Sequence, residues 1–141
     1  MAYALRAGWR LEPDQVVGLL ALAARMDLGP KPGSGGSRMV PLGKHEPTAR
    51  GLIVDGLGSW RAIQFVALHP SRQIVAHCDP PIVGRRFHIP LAVNDGCWSF
   101  HDGVWQQLGV GLAYEMDPTI VHGAVNWGAT TRLHLMIDTE S

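Results

Sequence analysis

From Trp60 onward the chain is a run of short β-rich segments, and that run limits the fold more than any other feature of the sequence. Seven segments read as strands: Ala62–Leu68, Gln73–His77, Arg86–Val93, Cys97–His101, Gly111–Glu115, Val121–Val125 and Thr131–Asp138. Each is bounded by Pro, Gly, Asn or Asp, residues that set turns rather than continue a ladder. The 10 prolines and 17 glycines of the chain fit many turns and short strands. No β–α alternation separates the segments, so the expectation is an antiparallel sandwich or a small antiparallel barrel.

One helix precedes the strands. Pro13 suits a first helical position, Glu12 and Asp14 suit the positive end, and Val16, Val17, Leu19, Leu20, Ala23 and Met26 recur at helical spacing. Gly29-Pro30 ends the pattern, which predicts a helix over Pro13–Asp27 with Val16, Leu19, Leu20 and Ala23 against the apolar face of the sheet. The following GPKPGSGGSRMVPLGKHEPTARG reads as a loop, and Lys31–Arg50 is a candidate to close over a site. Its GSGG lacks the GK[ST] of a phosphate cradle. At 141 residues the chain is expected to form one domain, with helix and loop in 1–60 and a β core in 61–138.

Composition excludes some partners. A formal net charge of zero gives no attraction to nucleic acid or an anionic membrane, and the apolar run Val16–Ala24 is too short to span a bilayer. The opening MAYALRAGWRLEPDQ has no charged stretch followed by an apolar one, and Cys78 and Cys97 make no disulfide framework. The expected setting is cytoplasmic.

Alternation then places the polar residues. Side chains two apart on a strand share a face, so His77 and Asp79 fall together as H-x-D, Arg86 falls with His88, and Arg132 with His134. Phe87, Ile89 and Leu91, and likewise Leu133, Leu135 and Ile137, take the opposite faces. Histidine with arginine is not the Lys, Glu, Thr and Ser composition of a solvated face, so these positions point to an interior site. Asn126-Trp127-Gly128 reads as a three-residue hairpin loop with glycine at its left-handed place. Counting outward from it sets Val125 opposite Ala129 and His122 opposite Arg132. Other polar and aromatic residues have plainer readings. His134 either lines the pocket or is a buried histidine, and His101-Asp102-Gly103 is a turn. Cys78 packs, and Trp98, Trp105 and Trp127 serve as core or pocket wall.

Two histidines and a carboxylate presented from one side form the facial triad of non-haem Fe(II) oxygenases, which leaves the remaining metal positions open. His77, Asp79 and His122 are the candidate metal ligands and catalytic residues, and Arg132 is placed to hold the carboxylate of a co-substrate bidentately. No Ser, Lys or Cys arrangement suggests a nucleophile.

These blocks resemble the aspartyl/asparaginyl β-hydroxylase family, which includes bacterial proline hydroxylases. The matching stretches are HCD at 77–79, RRFHIPL at 85–91, GVGLAYEMD at 109–117 and HGAVNWGATTRLHLMID at 122–138. The resemblance implies a double-stranded β-helix, or cupin-like, core carrying an Fe(II)- and 2-oxoglutarate-dependent dioxygenase that consumes O2 and yields succinate and CO2. It implies that His77 and His122 ligate iron. Asp79 stands where animal aspartyl hydroxylases have glycine and the proline hydroxylases keep the carboxylate. Arg132 matches the arginine that binds the distal carboxylate of 2-oxoglutarate, and Arg86 and His88 match further co-substrate contacts. Residues 1–60 carry no such resemblance. The hydroxylated group stays open among an amino acid, a peptidyl side chain and a related small molecule, and the oligomeric state is undefined. Two rivals stay open as well: a non-catalytic cupin-type protein that binds a metal or small ligand, and a metal-dependent cupin enzyme that does not use 2-oxoglutarate.

Overall fold

Alternation along the strands shapes the whole molecule, because the two faces of its larger sheet do different work. A computed structural model describes residues 5–32, 36–53 and 60–141. Among the described residues, ten strands lie in two antiparallel sheets. They are β1 (Ala7–Arg10), β2 (Ser37–Pro41), β3 (Trp60–Leu68), β4 (Arg72–His77), β5 (Arg86–Ala92), β6 (Cys97–His101), β7 (Val104–Gln106), β8 (Leu112–Met116), β9 (His122–Asn126) and β10 (Arg132–Thr139). The major sheet runs β1-β8-β5-β10-β3-β2 and the minor sheet β4-β9-β6-β7. This is the mainly β, double-stranded β-helix architecture that the sequence leads one to expect.

All seven expected strands are present, with ends shifted by a residue or two. Three further strands were not expected, and all three are edges: β1 and β2 close the major sheet and β7 closes the minor one. An edge strand pairs on one side only, so it tolerates the Pro41 of β2 and needs little β-branched content. The His101-Asp102-Gly103 turn forms as read, with Asp102 and Gly103 at φ +50° and +85°, and returns the chain from β6 into β7.

Helix α1 (Pro13–Ala23) starts where expected, and the Gln15 side-chain oxygen accepts from the Glu12 backbone N–H at 2.6 Å. It ends earlier than Asp27. The Asp27 carboxylate instead accepts from the Gly29 N–H, and the Leu28 carbonyl accepts from the His69 ring at 2.8 Å, which draws the chain off the helical path. The segment expected as a loop holds β2, a 3-10 turn at Gly43–His45 and a second helix, α2 (Glu46–Leu52). Of the segment Lys31–Arg50 offered as a lid, Ser37–Pro41 joins the major sheet and residues 43–50 are helical, while residues 33–35, within the GSGG motif, lie outside the described residues.

The apolar core lies between the helices and the outer face of the major sheet. Val16, Leu19 and Leu22 of α1 pack with Phe65, Phe87, Ile89, Leu133, Leu135 and Ile137. The buried stripe of α1 is Val16, Leu19, Leu22 and Ala23, and Leu20 is only partly buried, a one-position correction to the expected face. Among the described residues no helix is long and apolar enough to cross a membrane.

Candidate metal centre

The inner face of the major sheet and the minor sheet enclose the polar residues. In β4 and β9, Ile74 opposes Ala124, and a regular ladder would then put Ala76 opposite His122. A β-bulge adds one residue to β4, so His77 takes that place and points to the same side as His122. Gly123 makes room for it: a Cβ there would lie 2.7 Å from the Ile74 carbonyl oxygen and 3.1 Å from the Ala76 Cα. Asp79 follows two residues past the end of β4, held by its N–H donating to the Pro118 carbonyl at 2.8 Å.

The hydrogen bonds orient both histidine rings. His77 Nδ1 lies 2.7 Å from the Val75 carbonyl oxygen and His122 Nδ1 lies 2.8 Å from that of Ile120. A carbonyl only accepts, so each Nδ1 is the donor there and Nε2 is the ring atom left to face the other side. Those two Nε2 atoms lie 3.5 and 3.4 Å from the two Asp79 carboxylate oxygens. The ligand atoms of His77, Asp79 and His122 all fall within 4.8 Å of one another. Two imidazoles and one carboxylate, each offering one ligand atom to a common point, are a donor set that fits a divalent first-row metal such as Fe(II). His122 is buried, whereas the His77 and Asp79 side chains are 40% and 37% exposed, so the cluster is open on one side.

A cavity of about 220 Å³ extends from this cluster into the barrel, with Val66, Met39 and Met136 among its apolar walls. Arg132, 3% exposed, also lines it, and its Nε has no hydrogen-bond partner among the described residues. Burial pulls its pKa down to about 10, with nearby Cys97 opposing that fall. A buried guanidinium with an unsatisfied donor calls for an anion. His88 and His134 also line the cavity. Burial, reinforced by the positive Arg132 and Arg86, lowers the His88 pKa to about 3, and burial with Arg132 and His88 holds His134 well below the usual range, so both rings are neutral.

Arg86 lines the same cavity. Its Nε and one terminal nitrogen donate to the two Asp138 oxygens at 2.7 and 2.9 Å, and that pairing raises its pKa. Its other terminal nitrogen lies 3.8 Å from Asp79. Arg86 thus ties the candidate metal ligand to Asp138, which Arg61 also contacts at 3.1 Å. Arg86 and Met116 separate this cavity from a wider one of about 570 Å³, lined by Pro81, Arg85, Glu115, Asp117 and Thr119 among others.

The expected hairpin does not form. β9 belongs to the minor sheet and β10 to the major one, so His122 opposes His77 and His101, while Arg132 opposes Leu68. The two residues still share the cavity, from facing sheets. Asn126, fully buried, explains the crossing: its amide donates to the carbonyls of Leu68 and Thr130 at 2.8 and 2.9 Å, steering the chain over the barrel end. Gly128 is required for close approach rather than for a left-handed turn, since a Cβ there would lie 1.9 Å from the Asn94 Oδ1. Cys78 is exposed rather than packed, and Trp98, Trp105 and Trp127 are exposed at 39%, 52% and 62% rather than core or wall. Asp138 was missed, although the alternation that places Arg132 and His134 on the inner face reaches it four residues past His134, opposite Arg86. Gly123 and the bulge left no signal in composition or spacing.

Two facing antiparallel sheets with this cluster at the open end define a cupin-like double-stranded β-helix protein. Solved structures agree on the fold: a viral collagen prolyl hydroxylase from Paramecium bursaria Chlorella virus-1, determined as a 2OG complex, aligns at TM-score 0.67 and 11% identity over 98% of this chain and 95% of that one. A 2OG-Fe(II) oxygenase family oxidoreductase from Burkholderia pseudomallei aligns at TM-score 0.64 and 17% identity over 89% of this chain and 78% of that one. Residues 43–141 match the aspartyl/asparaginyl β-hydroxylase family, and the chain belongs to it. The L-proline cis-4-hydroxylase of Rhizobium meliloti is 28% identical over 106 residues, which is 72% of this chain and 38% of that protein.

Proposed function

We propose that this chain is an Fe(II)- and 2-oxoglutarate-dependent dioxygenase that hydroxylates an amino acid, a peptidyl side chain or a related small molecule. The observation that carries this reading is the convergence of the His77 and His122 Nε2 atoms on the Asp79 carboxylate in a cavity also lined by the buried Arg132. His77, Asp79 and His122 would hold the iron. When bound, iron with 2-oxoglutarate and O2 supplies the oxidant for an unactivated C–H bond and leaves succinate and CO2.

The chain's own residues bind and orient. Arg132 offers its planar fork to the distal carboxylate of 2-oxoglutarate, with His88 beside it, and the apolar walls keep water from that contact. Arg86, held by Asp138, steadies Asp79. The exposed side of His77 and Asp79, next to the wider cavity, is the approach for the substrate. An amino acid is favoured among the substrate classes because the curated relative is a proline hydroxylase. The expected setting remains the cytoplasm.

Anaerobic addition of Fe(II) and 2-oxoglutarate to the purified protein tests the reading. The expected result is the weak visible charge-transfer band of the chelate. Its absence from folded, iron-loaded protein would favour a cupin-type binding protein, or a cupin enzyme that does not use 2-oxoglutarate.

A further inference from the structure

His134 is buried to 2% exposure, beside Arg132 on the inner face of β10, and it belongs to no ligand set described above. Its Nδ1 lies 3.4 Å from the Nδ1 of His88, with the rings edge-on at 5.6 Å between centroids. Two Nδ1 atoms form a hydrogen bond only when one carries a proton and the other does not. Both rings are neutral, so each has a single N–H, and the pair has two arrangements. In one, His134 donates and His88 keeps its proton on Nε2. In the other, His88 donates and its Nε2 is a bare lone pair.

The surroundings choose between them. His88 faces the cavity that holds the metal cluster, Arg86 and Arg132, where the buried Arg132 guanidinium draws in an anion. A bare Nε2 would repel that anion, and an N–H would bind it. His134 also lines a second cavity of about 160 Å³, so its Nε2 side is not closed off from a donor. We propose that His134 is a positioning residue: its Nδ1–H donates to His88 Nδ1 and so fixes His88 in the tautomer that presents Nε2–H to a carboxylate or oxo-acid ligand beside Arg132. The identity of that anion rests on the proposed function, and the tautomer does not.

Long-range proton–nitrogen correlation spectra of the uniformly 15N-labelled, metal-free full chain report each tautomer directly. The expected result is His88 as Nε2–H and His134 as Nδ1–H. His134→Asn, which keeps an N–H near the Nδ1 position, should preserve the His88 tautomer, whereas His134→Leu should leave it mixed. In anaerobic Fe(II)-loaded protein, His134→Leu should weaken 2-oxoglutarate binding by about ten-fold or more, the scale of one hydrogen bond to a charged group, and His134→Asn by less than about three-fold. His88 found as Nδ1–H, or unchanged in His134→Leu, overturns the proposal, as does equal 2-oxoglutarate affinity in His134→Leu and the parent. Should His134→Leu fail to fold, the parent spectrum and His134→Asn still decide the tautomer. Correct tautomers in a parent that binds no 2-oxoglutarate would instead overturn the proposed function and leave the tautomer assignment standing.

Discussion

His77 faces His122 across β4 and β9 only because β4 holds one residue more than its partner between Ile74 and that pair. The candidate metal centre therefore depends on a bulge, and the bulge depends on the missing side chain of Gly123. Gly123→Ala sets a methyl group against the Ile74 carbonyl and should displace His77, weakening Fe(II) binding by about ten- to a hundred-fold, the range for altering what supports a metal ligand. His122→Ala should abolish tight loading with the fold kept, and Asp79→Ala should be milder if the family's glycine-bearing members are a guide. Elemental analysis of iron per chain after dialysis decides this; full loading of His122→Ala would remove the assignment.

Arg132 supplies the second prediction. Its Nε is buried without a partner among the described residues, so a carboxylate there would accept a charge-assisted hydrogen bond in a desolvated place. Arg132→Ala should cost about 2–4 kcal/mol of 2-oxoglutarate affinity, roughly thirty- to a thousand-fold, and Arg132→Lys should cost less because charge remains while the planar fork is lost. Iron content should be unchanged in both. An anaerobic 2-oxoglutarate titration of the iron-loaded variants reads the difference directly.

Stability should respond to Leu19 more than to its neighbour. Leu19 is fully buried between α1 and the major sheet, and Leu20 is only partly so. Leu19→Ala should cost about 2–5 kcal/mol in urea unfolding, and Leu20→Ala clearly less. A larger loss at Leu20 would mean that α1 is rotated from the orientation described.

The neutral pair His88 and His134 makes stability fall in acid. Both rings have folded pKa values below the ordinary value of 6.5, so above about pH 6.5 neither state binds a proton and the pair adds no pH dependence. Below that the unfolded chain takes up protons that the folded one refuses, and stability drops by at most about 1.4 kcal/mol per pH unit for each ring. For His88 the loss ends near pH 3, where the folded ring protonates. Urea midpoints between pH 8 and 4.5 should show this slope, and His88→Gln should flatten it in part.

Much of the site was legible because strand alternation is a local rule with a long reach. It placed Arg86 with His88 and Arg132 with His134 on the inner face, and Phe87, Ile89, Leu133 and Leu135 on the outer one, as the structure has them. What stayed hidden depends on partners that the local pattern does not name. Asn126-Trp127-Gly128 carries hairpin chemistry, yet the buried Asn126 amide binds Leu68 from another sheet and turns a hairpin into a crossing. The missed strands β1, β2 and β7 are edges, which lack the second neighbour that would demand a strong β composition. Helix α2 is seven residues long and includes Pro47 and Gly51, so its packing of Ala49 against the core outweighs a poor helical sequence.

All eight residues of β10 are buried, with Leu133, Leu135 and Ile137 serving the core on one face and Arg132, His134, Met136 and Asp138 facing inward on the other. Each face can be edited by itself, since exchanging one inner residue leaves the packing of the outer ones in place. Insertion is another matter. One extra residue near Leu133 would exchange the faces of everything between it and the strand end, sending charge into hydrocarbon and hydrocarbon into the cavity. A chain built this way is free to change its chemistry letter by letter, but it can grow only in the links between its strands or where, as in β4, a bulge takes up the added residue.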